Sequence, residues 1–391
     1  MMQHLLSERS TVSSSTPTQT VALREPLPHT SHDPGHVSHR MTPQPNPGPR
    51  LFLGTPVAAF KAFGAAILVP LFLAVGMSLA YLGAFHQPTP HHLPVAIVGS
   101  QPATQVFAQT LNDKAPSQLS VRTVATDAEA RKLIVDRTIS AAYEPTTTSA
   151  SLLVSSAASD TSATVVQKIF LPIAYAEKLP LQVVDVVPAG THDSTGQGIF
   201  FLLVGLSVGS YATAAAVAAF ASRLGIRWSI VTSVVMSGIV AGIALTVAGP
   251  IYHVIDGQVG SIWLLGWLYS LAIILIGVGL HPLLRHWTTA ALTALFVMLN
   301  FTSSGGIFAP ALMPGFFAGL HTFWNGAAWL DAAQTLQYFP GHGFGLDVLR
   351  LGLWAAAGLG LTLLTHLLSR RRVRLANEAV ATREEETVIA A

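Results

Sequence analysis

The sequence contains no cysteine among its 391 residues. This absence excludes disulfide bonds, thiolate metal sites and a cysteine nucleophile. Charge is also scarce, because Asp, Glu, Lys and Arg together make up 10% of the chain, against about 25% in an average soluble domain. Together with a mean hydropathy of +0.51, this shortage argues against a soluble enzyme and predicts an α-helical polytopic membrane protein.

Motifs for nucleotide or zinc chemistry are missing as well. The sequence has no G-x-x-x-x-G-K-[ST] phosphate-binding loop and no H-E-x-x-H pair. Its formal net charge of +2 is unevenly spread and does not indicate a basic surface that binds nucleic acid. We therefore expect no enzyme: no catalytic residue, no cofactor, no metal site and no nucleic-acid partner. If ATP drives this protein, a separate ATPase subunit must supply it.

The first section, residues 1–57, is rich in Ser, Thr, Pro and His and poor in large apolar side chains. Such a composition cannot bury enough surface to offset the entropy of ordering, so we predict a disordered cytoplasmic tail. Four histidines recur there at helical spacing, which is typical of a metal tract. A proline and a glycine between them break that helix, so a solvated tail is the simpler interpretation. The chain starts at Met1 or at Met41.

The next two sections are one apolar helix and one mixed domain. Residues 63–85 carry no charge, and their length of about 35 Å exceeds a bilayer core of about 30 Å. We predict the first transmembrane helix within residues 58–85. It is too long and too far from the start for a cleaved signal peptide. In residues 86–196, strand-like runs alternate with helix-like runs, which predicts a small inserted α/β domain.

Residues 197–370 hold five further apolar segments, which gives about six transmembrane helices in total. The segments are 198–221, 229–250, 262–280, 286–301 and 349–368. Their apolar cores contain no Asp, Glu, Lys or Arg, and the Asp347–Arg350 spacing at the edge of the last one predicts a helical ion pair. Coupling to protons or sodium through side chains is therefore disfavoured.

Basic residues predict the orientation. The short loops 251–261 and 302–348 carry no Lys or Arg, whereas arginines follow the second, fourth and sixth helices. By the positive-inside rule, both termini, including the tail 371–391, are cytoplasmic, and the α/β domain lies outside the cell membrane. The arginines are Arg223, Arg227, Arg285, Arg370, Arg371, Arg372 and Arg374.

Two pairs of glycines four residues apart predict close helix packing. Gly205 and Gly209 form one pair, and Gly238 and Gly242 form the other. Small residues at this spacing let helices approach closely in lipid. Packing within the bundle and a homodimer seam both remain open, the first being favoured.

The stretch 302–345 is apolar, rich in aromatics and broken by prolines and by SSGG. Since irregular backbone at membrane depth must be buried in protein or reached by water, we predict a re-entrant hairpin on the outer face. It either lines an outer gate or merely packs as a lid. The candidate pathway residues are Asn300, Ser303, Ser304, Gly305, Gly306, Pro310, Pro314, Gly315, Trp324 and Tyr338. The expected aromatic anchor at the membrane interface comprises Phe316, Phe317, Phe323, Trp324, Trp329 and Tyr338.

This arrangement, together with three stretches of sequence, resembles the type-2 ABC exporter permease superfamily, in its phage infection protein and nitrosoguanidine-resistance branch. The stretches are VDVVPAGTHDSTG (184–196), VGSY (208–211) and the run from Asn300 to Gly315, in which Met313 takes the place of a leucine. In the first, the residues similar to the family's domain–bundle junction are Asp185, Pro188, Asp193 and Gly196.

The resemblance implies membrane export or an envelope function with an unidentified substrate, and it supplies no catalytic residue. The apolar, charge-free bundle suits a hydrophobic or amphipathic compound better than an ion. We therefore expect an exporter permease subunit in the lipid bilayer, with a second copy of the chain and a separate ATPase as candidate partners. The alternative is a non-transporting envelope receptor or scaffold whose outside domain binds a partner. We favour the permease because a scaffold needs one anchor rather than six helices.

Overall fold

A computed structural model describes residues 56–339 and 343–390. The predicted N-terminal tail, its histidine tract and the choice of starting methionine therefore lie almost wholly outside the described residues. Helix α1 begins at Pro56 and ends at Phe85. Residues 56 and 57, which we expected in the tail, are thus already helical.

Between α1 and the next long helix lies a small α/β region, as the sequence predicts. Its sheet has the order β2-β1-β3-β4-β5, in which only β3 and β4 pair antiparallel. The elements are β1 (Leu93–Val98), α2 (Pro102–Lys114), β2 (Leu119–Val124), α3 (Asp127–Val135), β3 (Ala141–Pro145), β4 (Ala150–Val154), α4 (Ser156–Ala176) and β5 (Leu181–Asp185).

Two hydrogen bonds join this region to the loop that follows the SSGG break. The His91 amide donates to the Ala311 carbonyl at 2.7 Å. The Thr161 hydroxyl, near the start of α4, donates to the Ile307 carbonyl at 2.8 Å. The α/β region is therefore seated directly on the predicted hairpin.

Among the described residues, five helical segments are long and apolar enough to cross a membrane. The chain therefore has the helices of a polytopic membrane protein. The segments are Ile67–Phe85, Gly198–Ala221, Arg223–Ile251, Val259–Ser303 and Gly345–Val380.

The fourth segment contains two of the six predicted helices. A straight helix of its 45 residues would be about 68 Å long, more than twice the bilayer core. Instead α6 (Val259–Leu284) ends at Arg285, where φ is +50°. The chain then reverses and packs beside α6. The contact that shows this is between Gly277 and Leu292, since a Cβ on Gly277 would lie 2.9 Å from a methyl of Leu292. The returning leg contains α7 (Thr288–Thr293), a π-helical turn and α8 (Asn300–Ser303).

Two other long helices differ from the predicted spans. Helix α5 (Gly198–Thr246) breaks at Gly225, whose φ of +74° suits glycine, into a first arm (198–224) and a second arm (226–246). Helix α11 (Gly345–Ala390) continues past residue 368, so the tail is helical up to residue 390. The predicted Asp347–Arg350 pair forms, with Nη1 and Oδ1 2.9 Å apart.

The stretch predicted as an outer hairpin is folded into the bundle. It contains α9 (Gly315–His321) and α10 (Asn325–Tyr338). The predicted aromatic anchor is wrong for three members: Trp329 is fully buried, and Phe317 and Trp324 are nearly so. Trp329 is interior because α10 packs against α5, α6 and α11. Phe317, on α9, instead joins an apolar cluster with residues of the α/β region, and Trp324 packs against Trp354 of α11. Phe316 and Phe323 are exposed.

Candidate functional site

A groove of about 600 Å³ runs between the two arms of α5. Its lining contains no Asp, Glu, Lys or Arg. Two lining side chains, Phe201 and Ile243, are 61% and 63% exposed, so the groove opens sideways on the bundle surface. The lining residues are His192, Gly198, Phe201, Leu202, Gly205, Gly209, Thr213, Val240, Ile243, Ala244, Val247, Ala248, Tyr252 and Val254.

The groove has an apolar body and a polar mouth. Its body extends from Gly198 to Thr213, about 22 Å at 1.5 Å per residue, or roughly three quarters of a bilayer core. Its mouth, at the junction with the α/β region, presents His192 and Tyr252. The rings of His192 and His253 lie 5.5 Å apart there. This shape suits an amphipathic molecule with an apolar chain and a polar head.

The two predicted glycine pairs have different surroundings. A Cβ on Gly205 would meet nothing within 4 Å, so this glycine widens the groove instead of seating a helix. Gly209 lies closer to the second arm, since its Cβ would be 3.0 Å from Val240. The groove therefore lies along the face of the first arm that carries Gly205 and Gly209, with the second arm opposite.

The second pair packs within the bundle. Cβ atoms on Gly238 and Gly242 would lie 3.5 to 3.6 Å from the indoles of Trp263 and Trp267. The Trp263 Nε1 group donates to the Gly238 carbonyl at 3.2 Å. These glycines let α6 stack two tryptophans on the second arm.

Behind the groove, three buried side chains form a polar centre: Ser207, Tyr269 and Asn300. The Asn300 Nδ2 group donates to the Tyr269 hydroxyl at 2.6 Å and to Ser207 Oγ at 3.2 Å. Ser207 and Tyr269 oxygens are 2.5 Å apart. Ser207 also donates to the Leu203 carbonyl at 2.7 Å, so the tyrosine hydroxyl donates to Ser207. The centre ties α5, α6 and α8 together.

The sequence GLSVG (205–209) fits the G-x-S-x-G pattern of a nucleophile elbow. An elbow needs a sharp strand-to-helix turn that exposes the serine. Here Ser207 lies inside α5 and is fully buried. Its hydroxyl contacts Tyr269 and Asn300 rather than a base, so the pattern supplies a packing contact and no nucleophile.

An ion triad connects the α/β region to the bundle: Arg137, His321 and Asp331. The Arg137 Nη2 group donates to Asp331 Oδ1 at 3.1 Å and to Gln334 Oε1 at 3.3 Å. His321 Nε2 lies 3.2 Å from Asp331 Oδ2. The Arg137 guanidinium also lies 5.5 Å above the Phe339 ring. Asp331 is the one carboxylate of the stretch 302–345, and no sequence pattern links it to Arg137 or His321.

The contacts within the triad favour the charged forms of His321 and Asp331. Burial alone would lower the pKa of His321, but its hydrogen bond to Asp331 and the charge of that carboxylate raise the pKa above its ordinary value. Burial would raise the pKa of Asp331, but the hydrogen bond from His321 and the charge of Arg137 lower it. The groups thus stabilise each other as ions.

The triad meets the SSGG break through His321. Its Nδ1 atom lies 3.0 Å from the Ser303 carbonyl. Gly305 has a φ of +92°, and a Cβ there would lie 3.1 Å from the His321 ring. A Cβ on Gly306 would overlap Phe200. This break therefore needs glycine for conformation at the first position and for space at the second.

The other predicted pathway residues are dispersed. Ser304 is buried, and Trp324 Nε1 donates to the Leu295 carbonyl at 3.3 Å. Pro314 and Gly315 start α9. Pro310 faces the α/β region, and the Tyr338 hydroxyl lies near Gly190 of the junction. The structure does not gather them around one cavity.

Two of the four junction residues, Asp185 and Asp193, bind groups at the starts of helices. Asp193 accepts from the amides of Gln197 at 3.1 Å and Gly198 at 2.8 Å, at the start of α5. Asp185 accepts from the Ser156 hydroxyl at 2.5 Å. Gly196 has a φ of +64°, and Pro188 is exposed between β5 and α5. Similarly, Thr126 caps α3, since its Oγ1 accepts from the Glu129 amide at 3.2 Å.

No protein-family model, no curated protein and no solved structure matches the chain. The resemblance to the exporter permeases therefore stays a prediction.

Proposed function

We propose that this protein is a permease-type membrane subunit that exports a hydrophobic or amphipathic compound and holds its apolar chain in the α5 groove. The observation that carries the proposal is the groove itself, with an apolar body and a mouth that presents His192 and Tyr252. A charge-free lining suits a lipid-like molecule better than an ion, because an ion needs charged or polar ligands.

The proposed topology has six crossings, with the reversal at Arg285 separating the fourth from the fifth. A cavity of about 310 Å³ is bordered by the α5 turn, the end of α6 and residues 362–369 of α11. The arginines beside these three segments therefore lie at the same end of the bundle. Placing that end in the cytoplasm puts the groove mouth and the α/β region outside.

A deletion strain complemented with variants tests this function. Gly205→Phe places a ring at the groove, and the Cβ of the new side chain would meet nothing within 4 Å. Gly352→Phe on α11 is the matched control, since its surroundings are equally open. We expect the deletion to raise accumulation of amphipathic compounds, and the wild type and Gly352→Phe to restore efflux. Gly205→Phe should not. An unchanged accumulation of every compound in the deletion strain contradicts the proposal.

Purification of the full chain tests the implied assembly. The proposal expects a separate ATPase to co-purify, because the sequence has no phosphate-binding loop, and a homodimer in gentle detergent. The alternative, a receptor or scaffold, expects Gly205→Phe to retain full activity while changes in the α/β region abolish it. That pattern would replace the permease proposal.

A further inference from the structure

A second cavity, of about 240 Å³, lies where the α/β region meets the loop after the SSGG break. Strand ends and the start of α4 form its roof, and residues 309–311 form its floor. The lining residues are Pro94, Ile134, Arg137, Ile139, Ser140, Ser155, Ala158, Ser159, Ser162, Ala309, Pro310 and Ala311.

The charges around this cavity favour an anion. Arg137 is a cation in the lining, and the lining contains no carboxylate. Asp331 lies beyond the guanidinium and pairs with one of its nitrogens. A guanidinium has five N–H donors, so this pair leaves capacity for a second oxyanion. Four serines also line the cavity, and one of them, Ser155, already donates its hydroxyl to the Val187 carbonyl at 3.1 Å.

The start of α4 adds a partial positive charge. The helix begins after Ser155, whose Oγ accepts from the Ala158 amide at 3.2 Å. It kinks at Ser159 and restarts there, with the Ser159 hydroxyl accepting from the Ser162 amide at 3.1 Å. Amides at a helix start favour anions. Asp185 already accepts from the Ser156 amide at the first turn, whereas Ser159 and Ser162 of the restart line the cavity.

The hydroxyl of Ser162 indicates that the cavity lacks a hydrogen-bond partner. This side chain lines the cavity, is 5% exposed, and its hydroxyl has no hydrogen-bond partner in the part of the chain that the structure describes. A buried hydroxyl without a partner costs about 1–3 kcal/mol. A bound oxyanion would supply the acceptor that this hydroxyl lacks.

We propose that this cavity binds a small oxyanion, a phosphate or carboxylate group, between the Arg137 guanidinium and the hydroxyls of Ser159 and Ser162. The bound group shares Arg137 with Asp331 and so acts directly on the ion triad. The site is independent of the α5 groove and does not rest on the function proposed above.

Phosphate binding by the full chain tests the site. Thermal unfolding is measured in phosphate-free nanodiscs or micelles at constant pH and ionic strength, with inorganic phosphate as the probe. We expect the midpoint to rise with phosphate in the wild type. Ser162→Ala removes a hydroxyl without a partner, so it should fold normally, yet weaken phosphate binding several-fold. Arg137→Lys retains the charge, loses the planar fork, and should weaken binding at least tenfold.

Ser120→Ala is the matched control, because Ser120 is an exposed serine on β2. It should bind phosphate like the wild type. An equal rise in the midpoint for the wild type, Ser162→Ala and Arg137→Lys would overturn the proposal.

A second arm distinguishes a soluble anion from a lipid headgroup. Nanodiscs of phosphatidylcholine alone are compared with nanodiscs that also contain phosphatidylglycerol, without free phosphate. Stabilisation by inorganic phosphate in phosphatidylcholine discs identifies a soluble anion, and stabilisation by phosphatidylglycerol that Ser162→Ala abolishes identifies a headgroup. The absence of stabilisation by either overturns the site.

Discussion

At the scale of single residues, the bundle is organised by a few polar side chains in an apolar interior. Asn300 donates hydrogen bonds to Tyr269 and Ser207. The Asp331 carboxylate pairs with Arg137 and His321. A buried polar group without a partner is costly, so each of these contacts fixes the position of the helix that carries it. The glycines beside them provide the space.

Gly326→Ala tests how closely α10 approaches the polar centre. A Cβ at Gly326 would overlap the Asn300 amide, so the alanine must displace α10 or break the hydrogen bond to Tyr269. We expect a loss of about 1–3 kcal/mol, typical of overpacking a core, measured as a lower unfolding midpoint in detergent. Gly319→Ala, which meets nothing within 4 Å, is the control. Equal midpoints for the two variants would contradict this packing.

The ion triad predicts a pH dependence of stability. The pKa of His321 is raised above 6.5, so its contribution is complete below pH 6.5 and is lost as the pH rises through the folded-state pKa. The pKa of Asp331 is lowered below 3.8, so its contribution is present above pH 3.8 and is lost as the pH falls through the folded-state pKa.

The triad should therefore raise the free energy of unfolding most between pH 3.8 and 6.5. His321→Gln should remove the decline above pH 6.5, which unfolding midpoints at a series of pH values would show. A variant whose midpoint declines with pH as steeply as that of the wild type would rule out this role for His321.

The sequence indicated some of these residues and not others. Asn300 was a candidate because it precedes the SSGG break, and Asp347–Arg350 was predicted because both residues lie on one helix turn. Tyr269, Arg137 and His321 were missed because their partners are distant in the chain: Arg137 and Asp331 are 194 residues apart. A single sequence contains no periodicity that links such positions.

At the scale of elements, alternating patterns predicted the α/β region and hydropathy predicted the long helices. The burial of α10 was not predictable, because its apolar and aromatic composition fits an interfacial helix as well as a core helix. What makes α10 a core helix is its packing against α5, α6 and α11, which its own sequence does not reveal. The split of α5 at Gly225 and the reversal at Arg285 agree with the predicted breaks between spans.

The glycine pairs give an element-scale prediction. Gly238→Leu places a large side chain against the indoles of Trp263 and Trp267, which lie 3.5 to 3.6 Å from the Cβ position. We expect a loss of about 1–3 kcal/mol from overpacking and a lower unfolding midpoint. Gly205→Leu projects into the open groove and should unfold like the wild type. The reverse order would show that the first pair, and not the second, holds the helices together.

At the scale of the whole molecule, the shortage of charge and the arginine distribution predict the topology. Because the chain has no cysteine, single introduced cysteines report it without background. Thr147→Cys lies on an exposed turn of the α/β region, and His286→Cys lies on the exposed turn beside Arg285. A membrane-impermeant maleimide should label Thr147→Cys in intact cells, and His286→Cys only after permeabilisation. Labelling of His286→Cys in intact cells would invert the proposed topology.

Occupancy of the α5 groove by a lipid-like molecule is the sharpest test of the proposed function. The purified full chain is labelled with a photoreactive fatty acid in phosphatidylcholine nanodiscs, and the modified peptides are mapped. We predict labelling concentrated in residues 198–213 and 240–254, abolished by Gly205→Phe and retained in Gly352→Phe. Labelling that spreads evenly over the lipid-facing surfaces of α1 and α11 and ignores Gly205→Phe would contradict the groove as the binding site.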